Sequence, residues 1–279
     1  MRPANVVTAV ADVLAGYAIA GLGNHDALPW LVVATACLYA GGVTLNDYFD
    51  RRVDAVERPE RPIPSGRVPP AAAASLGFGL LAAGVAAACV ATVAAGAVAA
   101  CIAALVLAYD TWTKHHRILG PITMGLCRAL NLLLGVAAVP PAIEFARPIA
   151  LVPLVYIATV TALSRGEVGG GGQRVAGFAL ISLSFVLAAL GAITASPGRQ
   201  SIVGVALVIV LAWRVVPPFW RAYRDPSPGA IRHAVKAGVL SLVLIDAAIG
   251  AAYAGALYSA AILATALVAT ALARLFSVT

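Results

Sequence analysis

Charge is what this sequence has least of. Asp, Glu, Lys and Arg together make up 11% of its 279 residues, whereas soluble domains carry about 25%. That shortage excludes a chain whose whole surface is solvated. Cysteine is also sparse, and Cys37, Cys89, Cys101 and Cys127 sit singly in apolar stretches with no CxxC or metal-ligand spacing. They read as small buried hydrophobes. Lysine is nearly missing, with two against 17 arginines, a bias that points to a GC-rich bacterial genome and says nothing of activity. The opening segment, 3–22, has no basic region beyond Arg2 and no clear small-residue cleavage site, so it reads as a retained span rather than a leader. No internal repeat, long linker or separate soluble domain stands out, and residues 1–279 are read as one domain.

Apolar length takes the place of charge: 61% of the residues are hydrophobic, and Val68 to Tyr109 contains no charged residue. At about 1.5 Å per residue and a hydrocarbon core about 30 Å thick, that stretch makes two crossings joined by a tight turn. Charge-poor runs predict helical spans over 3–22, 29–47, 70–89, 92–110, 119–139, 148–165, 175–195, 201–220, 234–254 and 257–275. The expected fold is all-α, a polytopic transmembrane bundle of nine or ten spans, with Ala and Gly letting the helices approach closely.

The formal charge is +7, but the basic residues lie in short loops rather than on one soluble face, which argues against a nucleic-acid partner. With the N-terminus in the cytoplasm, Arg51, Arg52, Arg58, Arg61, Arg67, Lys114, Arg117, Arg165, Arg174 and the bases from Arg221 to Lys236 all face the cytoplasm. The other side holds Arg147 and Arg199. An integral protein of a bacterial cell membrane, with N-terminus and polar loops cytoplasmic and in contact with membrane lipids, is expected. Nothing in the sequence speaks to oligomeric state.

The chemistry is concentrated where span 2 ends. Asn46, Asp50 and Asp54 recur every four residues, and Asp47 lies three before Asp50, so all four fall near one helical face. Stacked carboxylates repel unless a cation compensates, and a row of hard oxygens suits magnesium that keeps waters and bridges phosphates. The competing reading is a solvated loop salt-bridged to Arg51 and Arg52. After the row comes a proline-stiffened loop, Glu57 to Arg67, whose Arg58, Arg61 and Arg67 can fork onto phosphate oxygens. Lys114 and Arg117 could hold phosphate too, or simply anchor the chain at the interface. Within span 5, Arg128 and Asn131 lie too deep to be cheap unless they face a cavity or an acid, and Asp12 and Asp246 pose the same question in spans 1 and 9.

The string NDYFDRRVD (46–54) followed by RPIPSGR (61–67) resembles the first aspartate-rich motif and loop of the UbiA superfamily of intramembrane prenyltransferases. The resemblance implies a bundle that opens sideways to lipid and carries polar motifs after spans 2, 4 and 6. On it, Asn46, Asp47, Asp50, Asp54 and Glu167 are the metal ligands. Asp50, Asp54 and Lys114 are catalytic, and Asn5, Arg61, Tyr109, Lys114, Arg117, Arg128, Asn131 and Arg165 contact substrate. The segment Tyr109 to Lys114 resembles the family's tyrosine-to-lysine loop, and Asn5 a substrate-facing asparagine. The loop after span 6 departs from the pattern: where two aspartates usually stand four apart, it reads SRGEVGGGGQR (164–174) and keeps one acid, Glu167. In this it resembles the EboC-like branch, with Arg165 and Arg174 taking over part of the charge balance. Its four glycines suggest mobility or close approach to a ligand.

The activity implied is magnesium-dependent transfer of a prenyl group from an allylic prenyl diphosphate to a lipophilic acceptor, with release of pyrophosphate. Two alternatives remain open: a lipid transporter binding a phosphorylated substrate, and a weakened homologue that binds phosphorylated lipid without turning it over. The listed acids, Lys114, Arg61 and Arg165 are expected to converge on one cavity at the ends of spans 2, 4 and 6.

Overall fold

The computed structural model describes the backbone of residues 3–196 and 201–276, and the side chains of residues 6–196, 201–265 and 267. Asn5 falls outside the described side chains. The chain runs through α1 (Pro3–Ile19), α2 (Ala27–Glu57), α3 (Pro70–Ala91), α4 (Val93–Thr111), α5 (Leu119–Val136) and α6 (Ala142–Ser164). It continues through α7 (Gln173–Ala195), α8 (Ile202–Arg224), α9 (Pro228–Leu240), α10 (Leu242–Ala254) and α11 (Ala256–Phe276). A one-turn 3-10 helix, Thr113–His115, follows α4, and no strand occurs among the described residues.

Among the described residues eight segments are long and apolar enough to cross a membrane, α9 and α10 counting as one, and two shorter apolar stretches, Val6–Ile19 and Ala256–Thr265, accompany them. Three span ends lie six residues or more from the hydropathy bounds; the sixth helix, expected from 148, begins at Ala142. The ninth span was expected to begin at 234. It begins at Pro228, where the Ser227 hydroxyl accepts from Ala230 N–H and Pro228 occupies the first turn, and it breaks at Ser241. The second span does not stop at 47. Its helix runs on through the acid row to Glu57, 31 residues in all or about 46 Å, so about three turns stand beyond the hydrocarbon.

Helix α1 is the axis of the bundle, packing against α2, α5, α10 and α11. Ala11, Val13, Ala15 and Ala18 are all fully buried, as expected of a helix apolar on every side. It crosses α5 at Gly16 and Gly135, where an added methyl group would overlap the Leu132 and Val13 carbonyls respectively. Small residues here do what the absence of a hydrophobic driving force in lipid requires: they let backbones touch.

Hydrogen bonds between loops show which ends meet. At one end Lys114, after α4, bonds Asp50 on α2. Arg165, after α6, donates to the Lys114 carbonyl, and Gly171 N–H donates to the Pro226 carbonyl after α8. At the other end Asn24 and Thr92 donate to the Ala138 and Ala137 carbonyls. The polar motifs therefore share one end of the bundle.

Candidate active site

The protruding turns of α2 form one wall of a cavity of about 290 Å³. Asn46, Asp50 and Asp54 line it from α2, Arg58 and Arg61 from the proline loop, and Lys114 and His115 from the turn after α4. The loop holds its arginines by its own bonds: Ser65 N–H returns to the Arg61 carbonyl, Val68 N–H to the Pro62 carbonyl, and Gly66 takes φ +75° to close the turn. Arg67 folds back on this loop, donating to the Glu60 carbonyl and the Ser65 hydroxyl, so it stiffens the loop and does not line the cavity.

Every acid of the row has a polar partner across the cavity wall. Arg61 Nη1 bridges Asp47 Oδ1 at 3.1 Å and Asp54 Oδ2 at 2.6 Å, and Lys114 Nζ meets Asp50 Oδ1 at 2.5 Å. The first of these is half-exposed, but Asp54 and Lys114 have side chains only 7% and 9% exposed, so that charge pairing is sheltered from solvent. Arg51 is not a partner of the row. It donates to the Tyr48 carbonyl and lies over the Tyr48 ring at 4.4 Å, and Arg52 is exposed. The salt-bridged reading named the wrong arginines: a residue adjacent in the helix points around it, whereas Arg61 returns on a separate loop.

Among the described residues no three His, Cys, Asp or Glu side chains form a closed metal cage. What Asn46, Asp50 and Asp54 offer is a line of hard oxygens along one rim, which fits magnesium that binds through one or two carboxylates and completes its shell with water and phosphate. The donor set fits that ion and no softer one, since no sulfur or imidazole other than His115 borders the cavity.

The remaining candidates fall into three places. Arg165 reaches the site through the Lys114 carbonyl at 2.8 Å, and Tyr109, half-buried on α4, precedes the buried Asp110. Glu167 is half-buried and does not line the cavity; its N–H donates to the Ser164 carbonyl, its carboxylate makes no hydrogen bond or ion pair among the described residues, and Arg117 is exposed outside the cavity. Gly166 before Glu167 and Gly171 after it approach α9: a methyl group there would lie 2.6 Å or 2.7 Å from Ile231 Cδ1. Arg128 and Asn131 lie deeper. Arg128 pairs with Asp12 at 2.8 Å and donates to the Thr8 carbonyl, while Asn131 donates to Asp12 and to the Ala9 carbonyl and accepts from Thr35. These groups tie α5 to α1 and α2 inside the bundle. The motif reading gave no role to Glu57 or His115, although both border the cavity and His115 follows Lys114 directly.

A sequence profile of the UbiA prenyltransferase family matches residues 9–164, and the chain belongs to that family. The match ends at Ser164, where the unusual glycine loop begins. Among relatives, the digeranylgeranylglyceryl phosphate synthase of Methanothrix thermoacetophila is 33% identical over 207 residues, covering 70% of this chain and 75% of that one. The enzyme of the same name from Methanopyrus kandleri is 35% identical over 136 residues, 49% of this chain and half the length of that relative. Two solved structures share the fold. A UbiA homologue from Aeropyrum pernix has a TM-score of 0.73 at 14% identity, covering 89% of this chain and 98% of that one. A UbiA homologue from Archaeoglobus fulgidus bound to GPP and Mg2+ has a TM-score of 0.63 at 16% identity, covering 94% and 97%.

Proposed function

We propose that this protein transfers a prenyl group from an allylic prenyl diphosphate to a lipophilic acceptor and releases pyrophosphate, with magnesium held at Asn46, Asp50 and Asp54. The observation that carries this reading is the facing of the α2 acid row by Lys114 and Arg61 across one cavity at the end of a membrane bundle. Bound magnesium would neutralise diphosphate charge and make pyrophosphate a better leaving group. Lys114, Arg58 and Arg61 supply donors to the phosphate oxygens, Lys114 as a point charge and the arginines as forks. As the C–O bond breaks, these fixed charges meet the charge that develops on the departing oxygen. The prenyl chain then lies toward the apolar bundle, which keeps water from the carbon that the acceptor attacks. Of the aromatic faces near the row, Tyr48 is taken by Arg51 and Trp112 is 65% exposed, so Tyr109 is the ring we assign to the developing cation.

The excess of Arg and Lys in the loops at the motif end supports a cytoplasmic N-terminus and motif end. The Ser164-Arg165-Gly166-Glu167 sequence supports assignment to the EboC-like branch. In that branch the second loop contributes little metal: Glu167→Gln changes the rate and the magnesium requirement by less than about threefold, under ~0.7 kcal/mol. A shift of the magnesium midpoint as large as that of an α2 variant would return Glu167 to the ligand set.

The acceptor is tested by products. The name of the Methanothrix relative makes a prenylated glyceryl phosphate the first acceptor to supply, beside quinone precursors and lipid alcohols. Mass spectrometry of lipid extracts after incubation with geranylgeranyl diphosphate should show one acceptor class gaining a prenyl mass. Hydrolysis to free prenyl alcohol with every acceptor would contradict transfer.

A further inference from the structure

Two contacts from α2, one to α4 and one to the 3-10 turn that follows it, repeat with the same offset. Asn46 meets Asp110, and one helical turn on, Asp50 meets Lys114. The second rung pairs opposite charges. The first is an amide donating from Nδ2 to Asp110 Oδ1 at 2.9 Å. Asp110 is 4% exposed, and its Oδ2 is buried with no hydrogen-bond partner among the described residues. A carboxylate left half-bonded in a sheltered place is costly, so its retention asks for a reason outside its own packing.

A carboxylate can only accept, so it dictates which way the Asn46 amide lies: NH2 toward α4, and the carbonyl oxygen free for the cavity that Asn46 lines. We propose that Asp110 is a positioning residue of the cation site, holding the Asn46 oxygen toward the metal and adding unneutralised negative charge behind it. The inference rests on the magnesium reading above. It supplies from α4 the acidic support that the loop after α6, with Glu167 outside the cavity, does not provide. Partners that orient a metal ligand by hydrogen bonding commonly matter by about 10–100-fold in affinity.

The test measures protein-bound Mn2+ in nanodiscs saturated with geranyl thiolodiphosphate, an unreactive analogue, with thermal unfolding as a check on folding. Asp110→Ala weakens Mn2+ binding by about tenfold or more. Asp110→Asn, which still offers Asn46 an acceptor, loses clearly less. The exchange Asn46→Asp with Asp110→Asn restores a donor–acceptor pair across the same gap, and it recovers most of the affinity lost in Asp110→Ala. Wild-type affinity in Asp110→Ala overturns the positioning role. So does an Asp110→Asn variant as weak as the alanine variant together with an exchange that recovers nothing, since that pattern belongs to direct ligation through Oδ2. Absence of protein-bound Mn2+ in the wild type overturns the magnesium reading itself, which separates the two failures.

Discussion

Asp50→Ala lowers magnesium-dependent pyrophosphate release by at least about a hundredfold, the scale of losing one preorganised group that meets transition-state charge. Asp50 stands at the middle of the row, between Asn46 and Asp54, and it alone answers Lys114. Its removal does two things at once: it takes an oxygen from the metal rim, and it leaves the Lys114 ammonium, 9% exposed, without its carboxylate. Asp50→Asn separates the effects, since it keeps an oxygen in place but not the charge, and it should fall between the wild type and the alanine variant. The check is steady-state release of pyrophosphate across a magnesium titration. An Asp50→Ala protein with full rate, or with an unchanged magnesium midpoint, would remove the reason for calling α2 the metal site.

Arg128→Met destabilises the bundle by about 3–5 kcal/mol, the usual consequence of stranding one partner of a buried ion pair. Asp12 is 1% exposed and takes both Arg128 and Asn131, so without the guanidinium its carboxylate is held among apolar helices with the Asn131 amide and the buried Asp246 carboxyl but no cation. Adding Asp12→Asn keeps an acceptor for Asn131 while removing the stranded charge, and the double variant should regain at least half of the lost stability. Thermal unfolding in nanodiscs measures this. An Arg128→Met protein of unchanged stability but impaired substrate binding would move Arg128 from the framework to the cavity.

Local patterns were readable in the sequence, and contacts between distant helices were not. The acid row is local: Asn46, Asp50 and Asp54 recur at the helical period, so their shared face follows from spacing alone. Arg61 is nearly local, since the proline loop can reach back only a short way. Asp110 entered only within the Tyr109 to Lys114 segment, because its contact with Asn46 depends on the register between α2 and α4 and no single segment records that register. The break at Ser241 was hidden for a related reason. Serine is tolerated inside membrane helices, and nothing in the flanking Leu240 and Leu242 marks a stop, whereas Ser227-Pro228 did carry a start signal that hydropathy alone ignores. The glycine loop after α6 was read as mobile or ligand-facing. Gly171 packs against Ile231 and bonds Pro226, contacts made more than fifty residues further along, whereas an added methyl group at Gly169 or Gly172 would meet nothing within 4 Å.

The central claim is that the α2 row and its facing cations break an allylic diphosphate rather than merely hold it. Purified protein in nanodiscs, given geranyl, farnesyl or geranylgeranyl diphosphate with an acceptor lipid extract, answers this by the appearance of free pyrophosphate. Release should require magnesium, stop with chelator and be lost in Asp50→Ala. Saturable binding of the diphosphates with no pyrophosphate released at any magnesium concentration would contradict it, and would make the protein a binder or carrier of phosphorylated lipid.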